Sequence, residues 1–226
     1  MGLALVHGRA RAGIRAPEVK VEVHLGGGLP SMSIVGLPEA AVREAKDRVR
    51  AAIQCAQFEF PARRITVNLA PADLPKCGGR FDLPIALGIL AASGQIPAEP
   101  LREWEFVGEL GLTGELRAVD GALPAALAVA GSGRALLVPA ANGAEAALAS
   151  DVSVHTARTL LEVCAMLGGT RVLPRAVAPA QREVPLPDLR DVRGQAQARR
   201  ALEIAAAGGH HLLLVGSPGC GKTLLA

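Results

Sequence analysis

Tyrosine is absent from these 226 residues, and four Phe and one Trp are the only large aromatics. Any core must therefore be packed from Ala, Leu, Val and Ile, which an apolar half of the composition allows. Lysine is scarce too. Of 24 basic residues 20 are Arg, and the net charge of +3 is too small to argue for a nucleic-acid surface by itself. The four cysteines, Cys55, Cys77, Cys164 and Cys220, lie far apart without metal-ligand spacing. They are expected to be free thiols in a reducing compartment. Long apolar runs are missing: the uncharged stretches 83–100 and 121–133 are broken by Pro and Gly, so no membrane span is expected. The first ten residues carry His7 and Arg9 and lack a secretory apolar segment. A soluble, cytoplasmic protein with no membrane partner is the expectation, and no internal repeat of convincing length is present.

What remains is a chain of short alternating and helical segments. Val19, Val21, Val23 and Leu25 alternate with Lys20, Glu22 and His24, predicting a half-buried strand. Met32 and Ile34 suggest a short neighbour beyond Gly26-Gly27-Gly28. Pro38 suits a first helical position, and Ala41, Val42, Ala45, Val49, Ala52 and Ile53 follow at helical spacing, so 38–56 is predicted to be a helix. Its outer face mixes Arg43, Lys46 and Arg50 with Glu44 and Asp47, which favours a solvated face over a nucleic-acid face. Ile65, Val67 and Leu69 mark another strand. Asp82 is placed as N-cap of a helix over 83–93 closed by Gly94. Strand and turn over 106–116, helix over 122–130, strand over 135–138, short helix over 142–148, strand over 152–154 and helix over 159–167 complete the pattern. Strands alternating with helices predict an α/β sandwich with some parallel pairing, ending near Leu173. Four prolines in 174–187 mark a linker. A helix from Ala196 to Gly208-Gly209 then leads into the apolar run 212–215, expected as a buried parallel strand.

Directly after that run comes Gly216-Ser217-Pro218-Gly219-Cys220-Gly221-Lys222-Thr223, a complete G-x-x-x-x-G-K-T phosphate loop. The chemistry needs these residue types. Glycines let backbone N–H groups close on phosphate oxygens, lysine brings a cation to the terminal phosphates, and Thr223 can ligate Mg²⁺. The site so predicted is Gly216, Ser217, Pro218, Gly219, Cys220, Gly221, Lys222 and Thr223, with ATP and Mg²⁺ as cofactors and no catalytic residue among them. Only Leu224, Leu225 and Ala226 follow. The further strands, acidic metal-holding residue and water-positioning groups of a nucleotide-hydrolysing domain are therefore expected beyond Ala226. His210 and His211 have no third ligand near them in sequence, so metal binding is not expected there.

Three segments carry a family resemblance: Asp191-Val192-Arg193-Gly194-Gln195, the run from Ala201 through Gly208-Gly209-His210, and the loop at 216–223. Together they resemble the opening of the ATPase module in the ComM/YifB group, the magnesium-chelatase-like branch of the AAA+ ATPases. Gly36-Leu37-Pro38, Val67-Asn68-Leu69-Ala70-Pro71-Ala72-Asp73 and Phe81-Asp82-Leu83-Pro84 are similar to that group's leading domain, so the resemblance covers nearly the whole chain. It implies an α+β sandwich of ribosomal-S5-domain-2/Lon-protease-like type over 1–173, a linker over 174–187, and over 188–226 the truncated start of a P-loop AAA+ α/β domain. It further implies an ATP-driven homo-hexameric motor acting on DNA in branch migration during natural transformation, with Gly194 and Gln195 near the adenine side. A rival of a different class is an adaptor that binds protein or DNA without ATPase activity.

A Lon-like fold also raises an ATP-dependent serine protease. Such peptidases place their serine in K-D-G-P-S-A-G and use a lysine base. The matching stretch is Lys76-Cys77-Gly78-Gly79-Arg80-Phe81-Asp82, with Arg80 at the nucleophile position. The second matching string, from Gly108-Glu109-Leu110 to Asp120-Gly121, is followed by Ala122-Leu123-Pro124-Ala125-Ala126, where no lysine stands. With both halves of the dyad missing, proteolysis is not expected. Cys77 is a conceivable substitute nucleophile, but no lysine or histidine is placed by sequence to activate it.

Overall fold

The computed structural model describes residues 2–39, 42, 44–180 and 188–225, which divide into two units, Met1–Pro179 and Ala180–Ala226. The first unit is mixed α/β. Its elements run β1 (Gly2–Arg9), β2 (Glu18–Gly26), β3 (Ser31–Val35), α1 (Ala45–Cys55), β4 (Arg64–Ala70) and α2 (Asp82–Ala92). Then come β5 (Trp104–Phe106), β6 (Glu109–Leu110), β7 (Leu116–Arg117), α3 (Ala122–Val129), β8 (Ala135–Pro139), α4 (Gly143–Ala146), β9 (Val154–Ala157) and α5 (Leu160–Leu167).

Seven strands form one sheet in the order β3-β4-β2-β1-β5-β8-β9. The β4-β2 and β2-β1 pairs are antiparallel, and the other four are parallel. Along β2 the alternation read from sequence has a direct cause: Val19, Val21, Val23 and Leu25 enter the core while Lys20, Glu22 and His24 face the other way. α1, α2 and α5 cover the core face, contributing Val49, Ile53, Leu83, Leu87, Leu160 and Val163 to one cluster. At the β5-β8-β9 end the opposite face is covered too, by Ala122, Ala125, Ala126 and Val129 of α3 over Leu136, Val138 and Val154. That double burial explains why β8 is apolar at every position from Ala135 to Pro139.

Nothing in the alternation predicts a strand over residues 2–9, yet β1 lies mid-sheet. Ala4 and Val6 enter the core, but Leu3 (71% exposed) and Leu5 on the open face are equally apolar and erase the period-two signal. His7 and Arg9 share that open face and are buried by partners. His7 Nδ1 lies 2.6 Å from Glu18, and Arg9 donates to the fully buried Glu105 at 2.5 and 2.8 Å. Arg134 adds a bond to Glu105 at 3.0 Å.

Three expectations need correcting. The helix α1 begins at Ala45 and Val42 before it is also helical, but Pro38 is not, and instead bridges Lys76 in parallel fashion; Ala40, Ala41 and Arg43 lie outside the described residues. Leu37 before it has a φ of 56°, which takes the backbone out of a helical path. Asp82 does not cap α2, because burial against Arg48 takes its carboxylate elsewhere. The strand and turn expected over 106–116 are present, as the end of β5 and the two-residue β6-β7 hairpin turned at Gly111 to Gly114. Finally, the proline-rich stretch opens with Pro174, Arg175 and Ala176 bonded along β9, where backbone carbonyls and N–H groups of that edge strand accept and donate.

In the second unit α6 (Ala196–Gly208) is closed by Gly209 in the left-handed region, as the sequence predicts. The run 212–215, expected as a buried strand, forms no strand pairing; Leu213 and Val215 are 85% and 86% exposed. Among the described residues no strand lies alongside to take its N–H and C=O groups, and apolar content alone does not make a strand.

Candidate functional site

Residues 216–223 form a curled loop that runs into α7 (Lys222–Leu225). Gly219 and Gly221 adopt φ of 82° and 83°, backbone that side chains rarely tolerate, and they let the chain turn back on itself. Lys222 Nζ sits within this curl, donating to the carbonyls of Gly216 and Ser217 at 2.8 Å each and lying 3.5 Å from Cys220 Sγ. A Cβ on Gly216 would stand 2.8 Å from that same sulfur, so any larger residue there would have to displace the Cys220 side chain. Cys220 is nonetheless exposed, its sulfur lying at the rim of the curl beside the lysine. Leu224 and Leu225 donate to the carbonyl of Gly221, opening the helix directly behind the lysine. Thr223 is exposed. Gly194 and Gln195 both have positive φ just before α6.

The first unit brings together the two strings compared with the peptidase pattern. Gly108 N donates to Arg80 O, and Leu83 N donates to Gly108 O, both at 3.1 Å. Between the strings lies a cleft of about 270 Å³ lined by Cys77, Gly78, Gly79 and Arg80 on one side and Glu109, Ala118, Val119 and Asp120 on the other, with Arg11 beside them. Neither serine nor lysine lines it. Lys76 is turned away and buried, its ammonium held by the Pro71 carbonyl.

Arg80 is 4% exposed on this cleft. Its Nη2 donates to the main-chain oxygen of Asp120 at 2.7 Å, while Nη1 has no hydrogen-bond partner among the described residues. Burial pulls this guanidinium below its ordinary value; Cys77 and Asp120 oppose that pull and Arg11 adds to it. Sequence reasoning recognised Arg80 only as a non-nucleophile. A single Arg between Gly-Gly and Phe gives no sign that it will be buried. Asp82 lies behind the cleft, receiving Arg48 through two bonds and Leu110 N at 3.3 Å. Burial nevertheless raises its carboxyl to about 6.

Among the described residues no group of three or more metal-ligating side chains gathers, and no helix is long and apolar enough to cross a membrane.

Comparison with known proteins adds a family. The model for subunit ChlI of Mg-chelatase matches residues 21–142, and that for magnesium chelatase, subunit ChlI, matches residues 188–226. Over all of its length the chain is 54% identical to Competence protein ComM of Haemophilus influenzae and covers 46% of that protein. It is 53% and 52% identical to the uncharacterized YifB proteins of Salmonella typhimurium and Escherichia coli, again over its whole length and 45% of theirs. The chain thus spans about half the length of these curated relatives.

Proposed function

The chain belongs to the ComM/YifB-type, magnesium-chelatase-like family, and on that premise we propose that it is the ATP-binding leading portion of an AAA+-class motor that acts on DNA. The observation that carries the nucleotide half is the curl of 216–222 around the Lys222 ammonium. Two neutral carbonyls satisfy that cation for the present, and an oxyanion is the stronger acceptor for it. The donor set fits a polyphosphate. Lys222 holds the terminal phosphates, the backbone N–H groups of the loop receive remaining oxygens, and Thr223 offers its hydroxyl to Mg²⁺. Gly194 and Gln195 are assigned to the adenine side in this reading. Bound ATP supplies the γ-phosphoryl group whose hydrolysis drives motion, and much of the apparatus for that step is assigned to residues following this segment and to a neighbouring subunit of a homo-hexamer.

The leading unit is read as a Lon-protease-like, ribosomal-S5-type domain whose peptidase residues have been replaced. DNA as the partner, natural transformation as the setting and the cytoplasm as the compartment follow from membership and from the competence name of the Haemophilus relative. The test uses the longer protein that contains this segment. ATP turnover is measured with Mg²⁺, with and without branched DNA, for wild type and Lys222→Ala. Turnover stimulated by DNA and lost in the variant is expected. No turnover with either DNA, or turnover indifferent to Lys222→Ala, would sink the motor and leave the adaptor reading.

A further inference from the structure

We propose that the cleft between residues 77–80 and 118–120 binds a small oxyanion, a carboxylate or a phosphate, on the guanidinium groups of Arg80 and Arg11. This site is separate from the phosphate loop and does not depend on the function assigned to that loop.

The first observation is an unmet donor. Arg80 is 96% buried, in that its exposure is 4%, and Nη1 has no acceptor among the described residues. A buried cation normally pairs with an acid, and an unpaired donor on it is costly. Arg80 instead touches only a neutral main-chain oxygen, that of Asp120. The second observation is that neither acid of the cleft bonds the Arg80 guanidinium through its carboxylate among the described residues. The Asp120 carboxylate answers Arg11 at 3.1 Å, and that of Glu109 lies beside Gly79, where a Cβ would stand 2.3 Å from it. The third is room. Gly78 and Gly79 leave an opening of about 270 Å³ beside the guanidinium, sufficient for a carboxylate or phosphate group with little of what it is attached to. Arg11 lies near enough to Arg80 for the two charges to repel, and a bound anion relieves that repulsion. The Arg11–Asp120 pair is exposed on both sides, 49% and 88%, and such a pair exchanges partners at little cost.

Two sources share this chemistry: a carboxylate, as on a chain terminus or acidic side chain, and a free or esterified phosphate. The probes are sodium acetate and inorganic phosphate at constant ionic strength against chloride. The protein is the whole chain carrying Lys222→Ala, so that the phosphate loop is silenced. Amide chemical shifts are followed by NMR. Saturable movement of the Gly78, Gly79, Arg80 and Asp120 amides is expected. Saturation by acetate alone selects the carboxylate, and saturation by phosphate alone selects the phosphate. Adding Arg11→Gln, an exposed change that leaves the fold intact, is expected to weaken binding about tenfold. Arg80→Gln is expected to abolish it, and Arg11→Gln carries the test if that variant does not fold. Unmoved amides at 78–80 and 120 with both anions, or binding unchanged by Arg11→Gln, would overturn the proposal. Shifts confined to 216–223 in protein with Lys222 restored would speak for the phosphate loop alone.

Discussion

Arg48 on α1 grips Asp82 at the start of α2 through two hydrogen bonds, Nε at 2.7 Å and Nη2 at 3.1 Å, although the two residues stand 34 positions apart. This pair joins two of the helices that roof the core face. Its acid is still hard to ionise, because burial raises the Asp82 carboxyl to about 6 despite Arg48 and Leu110 N. The unfolded chain would hold that proton only up to the ordinary value near 3.8.

The sign of the resulting pH dependence follows. Folding raises this pKa, so the contribution of Asp82 to stability is complete below about pH 4 and is lost as pH rises through about 6. Urea midpoints taken from pH 4 to pH 7 should decline more steeply for wild type than for Asp82→Asn. Removing the cation in Arg48→Met should raise the carboxyl midpoint further, as read by NMR titration. A fall in that variant would contradict the assignment of Arg48 as the group that lowers it.

Gly88 sets how closely α2 lies on β2. A Cβ there would stand 2.5 Å from Val23 Cγ2. Alanine ordinarily improves a helix by up to ~1 kcal/mol over glycine, but forcing a methyl into a filled core costs about 1–3 kcal/mol. Gly88→Ala should therefore lower stability by ~1–2 kcal/mol in urea unfolding. Adding Val23→Ala should recover part of the loss if the clash is the cause, and a more stable single variant would refute it.

These two contacts show what the sequence could disclose. Alternation on β2 and β4 was readable because one of their faces is polar, and α6 was readable from its spacing and its closing Gly209. β1 was hidden by Leu3 and Leu5, apolar residues on the face that is not core. Arg48 gave no signal of its own in the helix sequence, and Asp82 read as a cap, since nothing local reports a partner 34 residues away. The phosphate loop was legible because its chemistry is contiguous. The Arg80 cleft was not, because residues 77–80 meet residues 118–120 and Arg11 only after the sheet has formed.

No peptidase activity is expected on unfolded protein or fluorogenic peptides, with or without ATP, because the cleft that would house it offers neither serine nor lysine. Cys77 is its one thiol. Peptide turnover abolished by Cys77→Ala would reverse this expectation and make that thiol the nucleophile.

The 226-residue chain by itself should not turn over ATP, and its nucleotide affinity should be poor. Among the described residues the run before the loop pairs with no strand, and Leu213 and Val215 are exposed. Phosphate release assays and equilibrium binding of a fluorescent ATP analogue check both statements. Steady hydrolysis by this segment, sensitive to Lys222→Ala, would show that catalysis needs less than is assigned to the longer protein.

The buried Arg9–Glu105 pair has a consequence for synthesis. The two residues are 96 positions apart, and Glu105 sits on the strand that closes one side of β1. At ordinary translation rates Arg9 is made roughly five to twenty seconds before its acid exists. Until then the side of β1 that β5 covers carries the Arg9 cation without its acid, and a charge on an open strand edge deters pairing with stray strands. The arginine therefore guards the growing edge first and locks the two halves of the sheet together afterwards.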